Sequence, residues 1–209
     1  MGEGQIRRLY DRLAAHIEPR SELLYQDPFE LLVAVVLSAQ ATDVSVNAAT
    51  ARLFPVANTP QAIWELGLDG LIPYIRTIGL FNSKARNIIA LCRILLDQHE
   101  GRVPAERDAL EALPGVGRKT ASVVLNVAFG VPCIAVDTHI QRVANRTGMA
   151  VTTRPDHTQA VLEARTPHRH LRDAHHYLIL HGRYTCTARR PHCSTCTIRR
   201  ICQWPEKTA

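Results

Sequence analysis

The sequence predicts an all-α protein, and three observations carry that reading. Helix-opening devices recur along the chain, glycines stand where helices must end, and no segment sustains the period-two alternation of a half-buried strand. In order, the apolar pattern places helices near residues 5–16, 28–39, 44–54, 60–66, 69–76, 83–99, 106–112, 118–129, 138–147, 156–165 and 170–182. The second opens with Asp27 as cap, Pro28 at the first helical position and Glu30 completing a capping box. Thr59-Pro60 repeats the device for the fourth. Gly67, Gly101, Gly130 and Gly148 each follow a helical apolar pattern where a left-handed C-terminal residue is needed. Pro114 ends the short helix near 106–112, and after Gly182 regular periodicity stops. No low-complexity tract or solenoid repeat interrupts the pattern.

A chain of 209 residues can bury a real core, as one domain or two small helical ones. The most apolar run, residues 31–37, is far shorter than the ~20 residues that cross a bilayer, so it reads as a buried helix. No signal peptide is visible, and Ile6 stands where a myristoylation signal needs Ser or Thr, so a soluble, cytoplasmic protein with no membrane partner is expected. A formal charge of +6 and a pI near 9.2 point to a polyanion as partner. With only 5% aromatic residues the chain does not suit stacking on successive unpaired bases, and duplex DNA held through its phosphates fits better.

Cys186, Cys193, Cys196 and Cys202 follow the spacing C-x6-C-x2-C-x5-C among Arg183, Arg189, Arg190, Arg199 and Arg200. Four thiolates from one short loop can close a tetrahedral zinc site or hold a cubane iron–sulfur cluster. Either would supply folding energy to a segment poor in apolar residues. A pair of disulfides is the weaker reading for a chain without a signal peptide. Zinc sites usually use two close pairs of ligands and only Cys193 and Cys196 form one here, so the spacing slightly favours iron–sulfur. Cys92 and Cys133 read as buried small hydrophobes. His157, His168, His170, His175 and His176 crowd the preceding stretch but lack the spacing and third ligand of a helical metal site.

Leu113-Pro114-Gly115-Val116-Gly117-Arg118-Lys119-Thr120-Ala121 joins two helices. Its two glycines permit a tight turn with positive φ, and the second helix opens with free backbone N–H groups. Those donors and the positive end of the helix dipole suit a DNA phosphate, although an ordinary helix–helix connection would also explain the turn. Lys119 sits in the first turn, where the dipole and Arg118 disfavour a cation. A more neutral amine is a nucleophile for a sugar C1′; a plain phosphate contact explains the residue equally well. Asp137, in Val136-Asp137-Thr138-His139, precedes another helix. It could cap that helix, or Thr138 could form a capping box with Gln141, and the same carboxylate could prepare Lys119 if the two lie opposite across a groove.

Together these pieces resemble the endonuclease III family, bifunctional base-excision DNA glycosylases with a helix-hairpin-helix motif and a four-iron, four-sulfur cluster. The likeness runs from about residue 22 to 202. It rests on Leu37-Ser38-Ala39-Gln40-Ala41-Thr42-Asp43-Val44-Ser45-Val46-Asn47, on Thr77-Ile78-Gly79-Leu80, on residues 113–121 and 136–139, on His181-Gly182-Arg183-Tyr184-Thr185-Cys186, and on the cysteine spacing. The resemblance implies Lys119 as nucleophile, Asp137 as its catalytic partner, and Cys186, Cys193, Cys196 and Cys202 as ligands of one [4Fe-4S] cluster. Gln40 would fill the space left by an extruded nucleotide and Leu80 would wedge the opposite strand. Gly115, Val116, Gly117, His139, Arg189 and Arg190 would contact DNA.

The fold so implied has two helical lobes with a DNA groove between them: a six-helix barrel at 21–131 carrying the hairpin, and a cluster domain from 1–20 and 132–209. The implied function is removal of oxidised pyrimidines from duplex DNA by base flipping, Lys119 attack on C1′ and β-elimination. Its substrates would be oxidised pyrimidines and abasic sites, and the enzyme a monomer, nucleoid-associated in a bacterium. Two further readings stand beside it. One is a non-catalytic helix-hairpin-helix iron–sulfur DNA-binding protein; the other is the related adenine-specific glycosylase, which lacks lysine at the corresponding position.

Overall fold

The computed structural model describes residues 1–208, and these form eleven helices and no strand, as the all-α reading expects. They are α1 (Glu3–Ala14), α2 (Pro28–Ser38), α3 (Asp43–Leu53), α4 (Pro60–Ile75), α5 (Phe81–Gln98), α6 (Arg107–Glu111), α7 (Arg118–Phe129), α8 (Thr138–Thr147), α9 (Pro155–Arg165), α10 (His168–Leu171) and α11 (Ala174–Tyr184). Among the described residues no helix is long and apolar enough to cross a membrane. The chain divides into two compact units: a continuous one, Ser21–Gly130, and a split one, Met1–Arg20 with Val131–Ala209.

Both expected caps form: Asp27 Oδ1 accepts from the Glu30 N–H at 2.9 Å, and Thr59 Oγ1 from the Ala62 N–H at 3.1 Å. Glu30 does not close the capping box. Its carboxylate is buried, so both oxygens need donors, and they take them from the Gln26 N–H (2.7 Å) and Asn58 Nδ2 (3.2 Å). The segment entering α2 is thereby tied to the segment entering α4. Residues 60–66 and 69–76 run together as α4, broken at Gly67 (φ 68, ψ 179). The single helix expected at 170–182 is two, because a turn from the Asp173 N–H to the His170 carbonyl separates α10 from α11.

In the continuous unit α2 is buried along residues 29–37, Glu30 included, so apolar neighbours must surround it. They are α3, α5 and α7. Each fully buried leucine here, such as Leu31, Leu32 and Leu37, contributes about 1.5–3 kcal/mol.

The split unit is closed from both ends of the chain. Ile6, Leu9, Tyr10 and Leu13, at helical spacing on α1, share a core with Ile140, Val143, Ala174, Leu178 and Ile198. Thr166 Oγ1 donates to the buried Tyr10 hydroxyl at 2.9 Å. Asp11 Oδ1 accepts from His170 Nε2 (2.8 Å) and Arg169 Nη2 (2.6 Å), and these bonds hold its carboxyl below the usual range. The Met1 ammonium donates to the Gly148 carbonyl at 3.2 Å, and Arg165 donates to the Met1 carbonyl.

Candidate active site

Within the hairpin, Arg107 Nη1 on α6 donates to Ser122 Oγ on α7 at 2.9 Å, and the buried side chains of Leu113 and Val116 pin the turn between them. Gly115 has φ 80, and a Cβ there would lie 3.0 Å from Asn87 Nδ2, so conformation and space both require glycine. Gly117 corrects the expectation of positive φ at both positions. Its φ of −92 and ψ of 177 are extended backbone open to any residue, and a Cβ there meets no protein atom within 4 Å. It is the N-cap of α7 and brings no capping side chain, which leaves the first-turn N–H groups for an outside acceptor. Lys119 is the second residue of α7 and is exposed.

Gln40 and Leu80 both have positive φ, 54 and 61, although neither is glycine. Such a conformation costs on the order of 1–3 kcal/mol and persists only where the surroundings enforce it. Both side chains are exposed, Leu80 by 63%. A Cβ built on Gly79 would lie 3.9 Å from the Gln40 carbonyl oxygen, so the two turns are neighbours.

Asp137 settles the choice between two caps. Its Oδ1 accepts from the Ile140 N–H at 2.8 Å and starts α8, while Gln141 turns to Thr152 O (2.8 Å) and Thr158 Oγ1 (2.7 Å) and forms no box with Thr138. His139 Nδ1 accepts from Arg142 Nη2 at 3.2 Å. A Cβ on Gly182 would come 2.9 Å from His139 Cβ, so the close approach of α11 to α8 needs that glycine. Arg142 also donates to the carbonyls of Gly182 (2.8 Å) and Cys186 (2.9 Å), linking the helix that Asp137 caps to the cysteine loop. The sequence reading missed Arg142; its signal is the pair Arg142 and Arg146, four apart on one helix face. Lys119 belongs to the continuous unit and Asp137 to the split one.

Cys186, Cys193, Cys196 and Cys202 are free thiols lining one small pocket, partly open to solvent, together with His181, Ile198 and Trp204. Arg146 donates to the Thr187 and Ala188 carbonyls, points Nη1 at Cys186 Sγ (3.6 Å) and stacks over the Trp204 ring at 4.2 Å. Burial pushes the His181 imidazole down to about 4, so a neutral ring faces Cys196 Sγ at 3.8 Å. Among the described residues no three His, Cys, Asp or Glu side chains gather around a single-ion position, the histidines of 157–176 included. Four thiols lining one pocket suit a metal centre, whether a zinc ion or an iron–sulfur cluster. Arg189 and Arg190 lie exposed on the same loop, and Cys92 and Cys133 are buried as expected.

Residues 33–168 match the HhH-GPD superfamily of base excision DNA repair proteins, which fixes the class. Within it the chain belongs to the endonuclease III family. It is 62% identical over 189 residues to Endonuclease III of Escherichia coli (strain K12), covering 90% of each chain. To Endonuclease III of Treponema pallidum (strain Nichols) it is 52% identical over 198 residues, covering 94% of each. Among solved structures, an endonuclease III trapped as a covalent intermediate with DNA in an estranged-adenine complex matches with a TM-score of 0.91 at 45% identity, covering 97% of this chain and 96% of that one. A thermostable thymine-DNA glycosylase matches with a TM-score of 0.88 at 25% identity, covering 98% of each. The activity that goes with this membership is DNA glycosylase and AP lyase action in base excision repair, so the non-catalytic reading is set aside.

Proposed function

We propose that this protein extrudes oxidised pyrimidines from duplex DNA and removes them with Lys119 as the nucleophile, acting as a monomer on such lesions and on abasic sites. The observation that carries the reading is the start of α7, where an uncapped helix N-terminus stands beside an exposed lysine. The first-turn N–H groups and the Gly115–Val116–Gly117 backbone hold a phosphate, and Lys119 then stands within reach of the adjacent sugar. The chain has three lysines in all. The Lys84 ammonium is buried against two carbonyls and Lys207 lines the cysteine cavity, which leaves Lys119 as the lysine free to meet DNA.

The neutral Lys119 amine attacks C1′, and the N-glycosidic bond breaks with its electron pair leaving on the base, which takes up a proton. Ring opening gives a protonated Schiff base. Loss of a C2′ proton then expels the 3′ phosphate oxygen, and water hydrolyses the imine to restore the amine. Asp137 accepts the ammonium proton and balances positive charge on the deoxyribose; its capping bond engages Oδ1, and a carboxylate has a second oxygen for this work. Gln40 fills the vacated stack and Leu80 wedges the opposite strand. His139 contacts the DNA backbone. The four cysteines hold one [4Fe-4S] cluster, whose binding energy folds the loop that presents Arg189 and Arg190 to phosphates. In a bacterium the enzyme works at the nucleoid. The covalent endonuclease III–DNA intermediate among its structural neighbours supports the Schiff-base step.

Incubation with a thymine-glycol duplex and borohydride tests this. The wild type should release the base, nick the strand and be trapped. Lys119→Gln should lose both activities by about a thousandfold or more while keeping lesion affinity within about threefold. A trapped adduct that survives Lys119→Gln would mean that another amine is the nucleophile.

A further inference from the structure

We propose that Lys84 is a positioning residue that locks Gln40 and Leu80 together as one insertion device; the proposal rests on the roles just given to those two side chains. The buried stripe of α5 is Lys84, Ala85, Ile88, Leu91, Cys92 and Leu95, and its one cation is only 5% exposed. Lys84 Nζ donates to the carbonyl of Leu37 at 2.8 Å and to that of Ala39 at 2.6 Å. These carbonyls lie at the C-terminal end of α2, where the last turn lacks intrahelical donors and the helix dipole is negative. Ala39 is the residue immediately before Gln40.

The same residue closes the other turn through its backbone, since the Lys84 N–H donates to the Leu80 carbonyl at 3.0 Å and begins α5. Lys84 therefore grips one insertion turn with its side chain and the other with its main chain, where the Gln40 carbonyl approaches Gly79. Leu80, and Gln40 directly after the gripped Ala39, sit at positive φ without being glycine, a state that needs external enforcement. Lys84 is the enforcement the two turns share. Burial pulls the Lys84 pKa down, and its bonds to the two carbonyls offset that desolvation.

An insertion device must hold its shape while a base is pulled from the stack, and a misplacement of about 1 Å can slow such a step by about a hundredfold. Lys84→Met keeps the stem and removes the two donors. Four readouts separate positioning from general stability: single-turnover base release from a thymine-glycol duplex, strand cleavage at a preformed abasic site, fluorescence of a 2-aminopurine beside the lesion, and affinity for undamaged duplex. Lys84→Met should slow base release by about ten- to a hundredfold and abolish the fluorescence rise. Cleavage at the abasic site, where no base must be extruded, should fall by less than about threefold and affinity for undamaged duplex by less than about twofold. Added to Gln40→Ala/Leu80→Ala, it should slow release little further, because coupled residues are not additive.

Unchanged release and fluorescence in Lys84→Met, or a parallel loss in all four readouts, would overturn the proposal. If the methionine variant melts below the assay temperature, Lys84→Arg is read by the same split, with a smaller loss expected because a cation remains. Gln40→Ala/Leu80→Ala by itself tests the underlying roles. Wild-type release by that variant removes the insertion reading, whereas slow release there with normal release in Lys84→Met removes only the role of Lys84.

Discussion

The continuous unit and the split unit are held together by different means. The first closes on itself: α2, apolar on every side, is wrapped by α3, α5 and α7 within a single run of chain. The second depends on contacts between the two ends of the chain, Tyr10 with Thr166, Asp11 with His170 and Met1 with Gly148, and beyond α11 it continues only in turns and bends around four thiols. The hairpin, Lys119, Gln40 and Leu80 are on the self-contained unit, while Asp137, Arg189 and Arg190 are on the one that needs help. Lys119, Gln40 and Leu80, to which the proposal gives bond formation and insertion, stand on the self-contained frame, while Asp137 and the phosphate grip of Arg189 and Arg190 fall to the unit closed by contacts between the chain's ends.

The largest effect that could break this contrast comes from Cys196→Ser. On the proposed cluster, loss of one ligand should cost the split unit ~3 kcal/mol or more, because cluster binding would also be folding energy there, and should remove most of the about four irons that the proposal assigns to each wild-type chain. Calorimetry of the full protein should show the transition of the split unit moving down while that of the continuous unit stays in place. A single transition that shifts as a whole would mean that the two units do not differ in this way.

A smaller effect sharpens the picture inside the hairpin. Gly115→Val should lower stability by about 2–3 kcal/mol, since it forces a β-branched residue to positive φ against Asn87. Gly117→Val should change stability by less than about 1 kcal/mol yet weaken DNA binding, because its side chain would occupy the space an approaching phosphate needs. Equal melting temperatures for the two variants would contradict the assignment.

The smallest effect concerns the clasp at Asp11. Its folded carboxyl titrates below its unfolded value, so the stability it contributes is present above the unfolded pKa and is lost as pH falls through the folded one. Asp11→Asn should therefore cost at most about 1 kcal/mol at neutral pH, the group being partly exposed and screened. The gap from wild type should close below about pH 4 in acid titrations followed by circular dichroism.

Much of this was legible in the residues themselves. Asp27 and Thr59 announce helix starts through local side-chain bonds, and Gly130 and Gly148 announce helix ends at left-handed positions, because both signals act within a few residues. Tertiary bonding was less legible. Glu30 satisfies the backbone of Gln26 and the side chain of Asn58, and Asp137 rather than Thr138 caps α8 because Gln141 is drawn to Thr152 and Thr158. Two glycines in one turn could not reveal which of them has positive φ. Gln40 and Leu80 pass for an ordinary cap and an ordinary core residue, and only the resemblance singled them out; their backbone conformation is the physical signal. Lys84 was invisible because a lysine is read as surface, although apolar neighbours at 85, 88, 92 and 95 place it on the buried face.

The proposed function assigns the bond to DNA to the amine on α7. The most direct measurement is to reduce the complex with a thymine-glycol duplex, digest it with protease and nuclease, and locate the residue that carries the sugar remnant by mass spectrometry. The chain offers few amines, namely Lys84, Lys119, Lys207 and the N-terminus, and that of Lys84 is buried. The remnant should lie on Lys119 alone, and a remnant on the N-terminal amine or on Lys207 would contradict the assignment of the nucleophile.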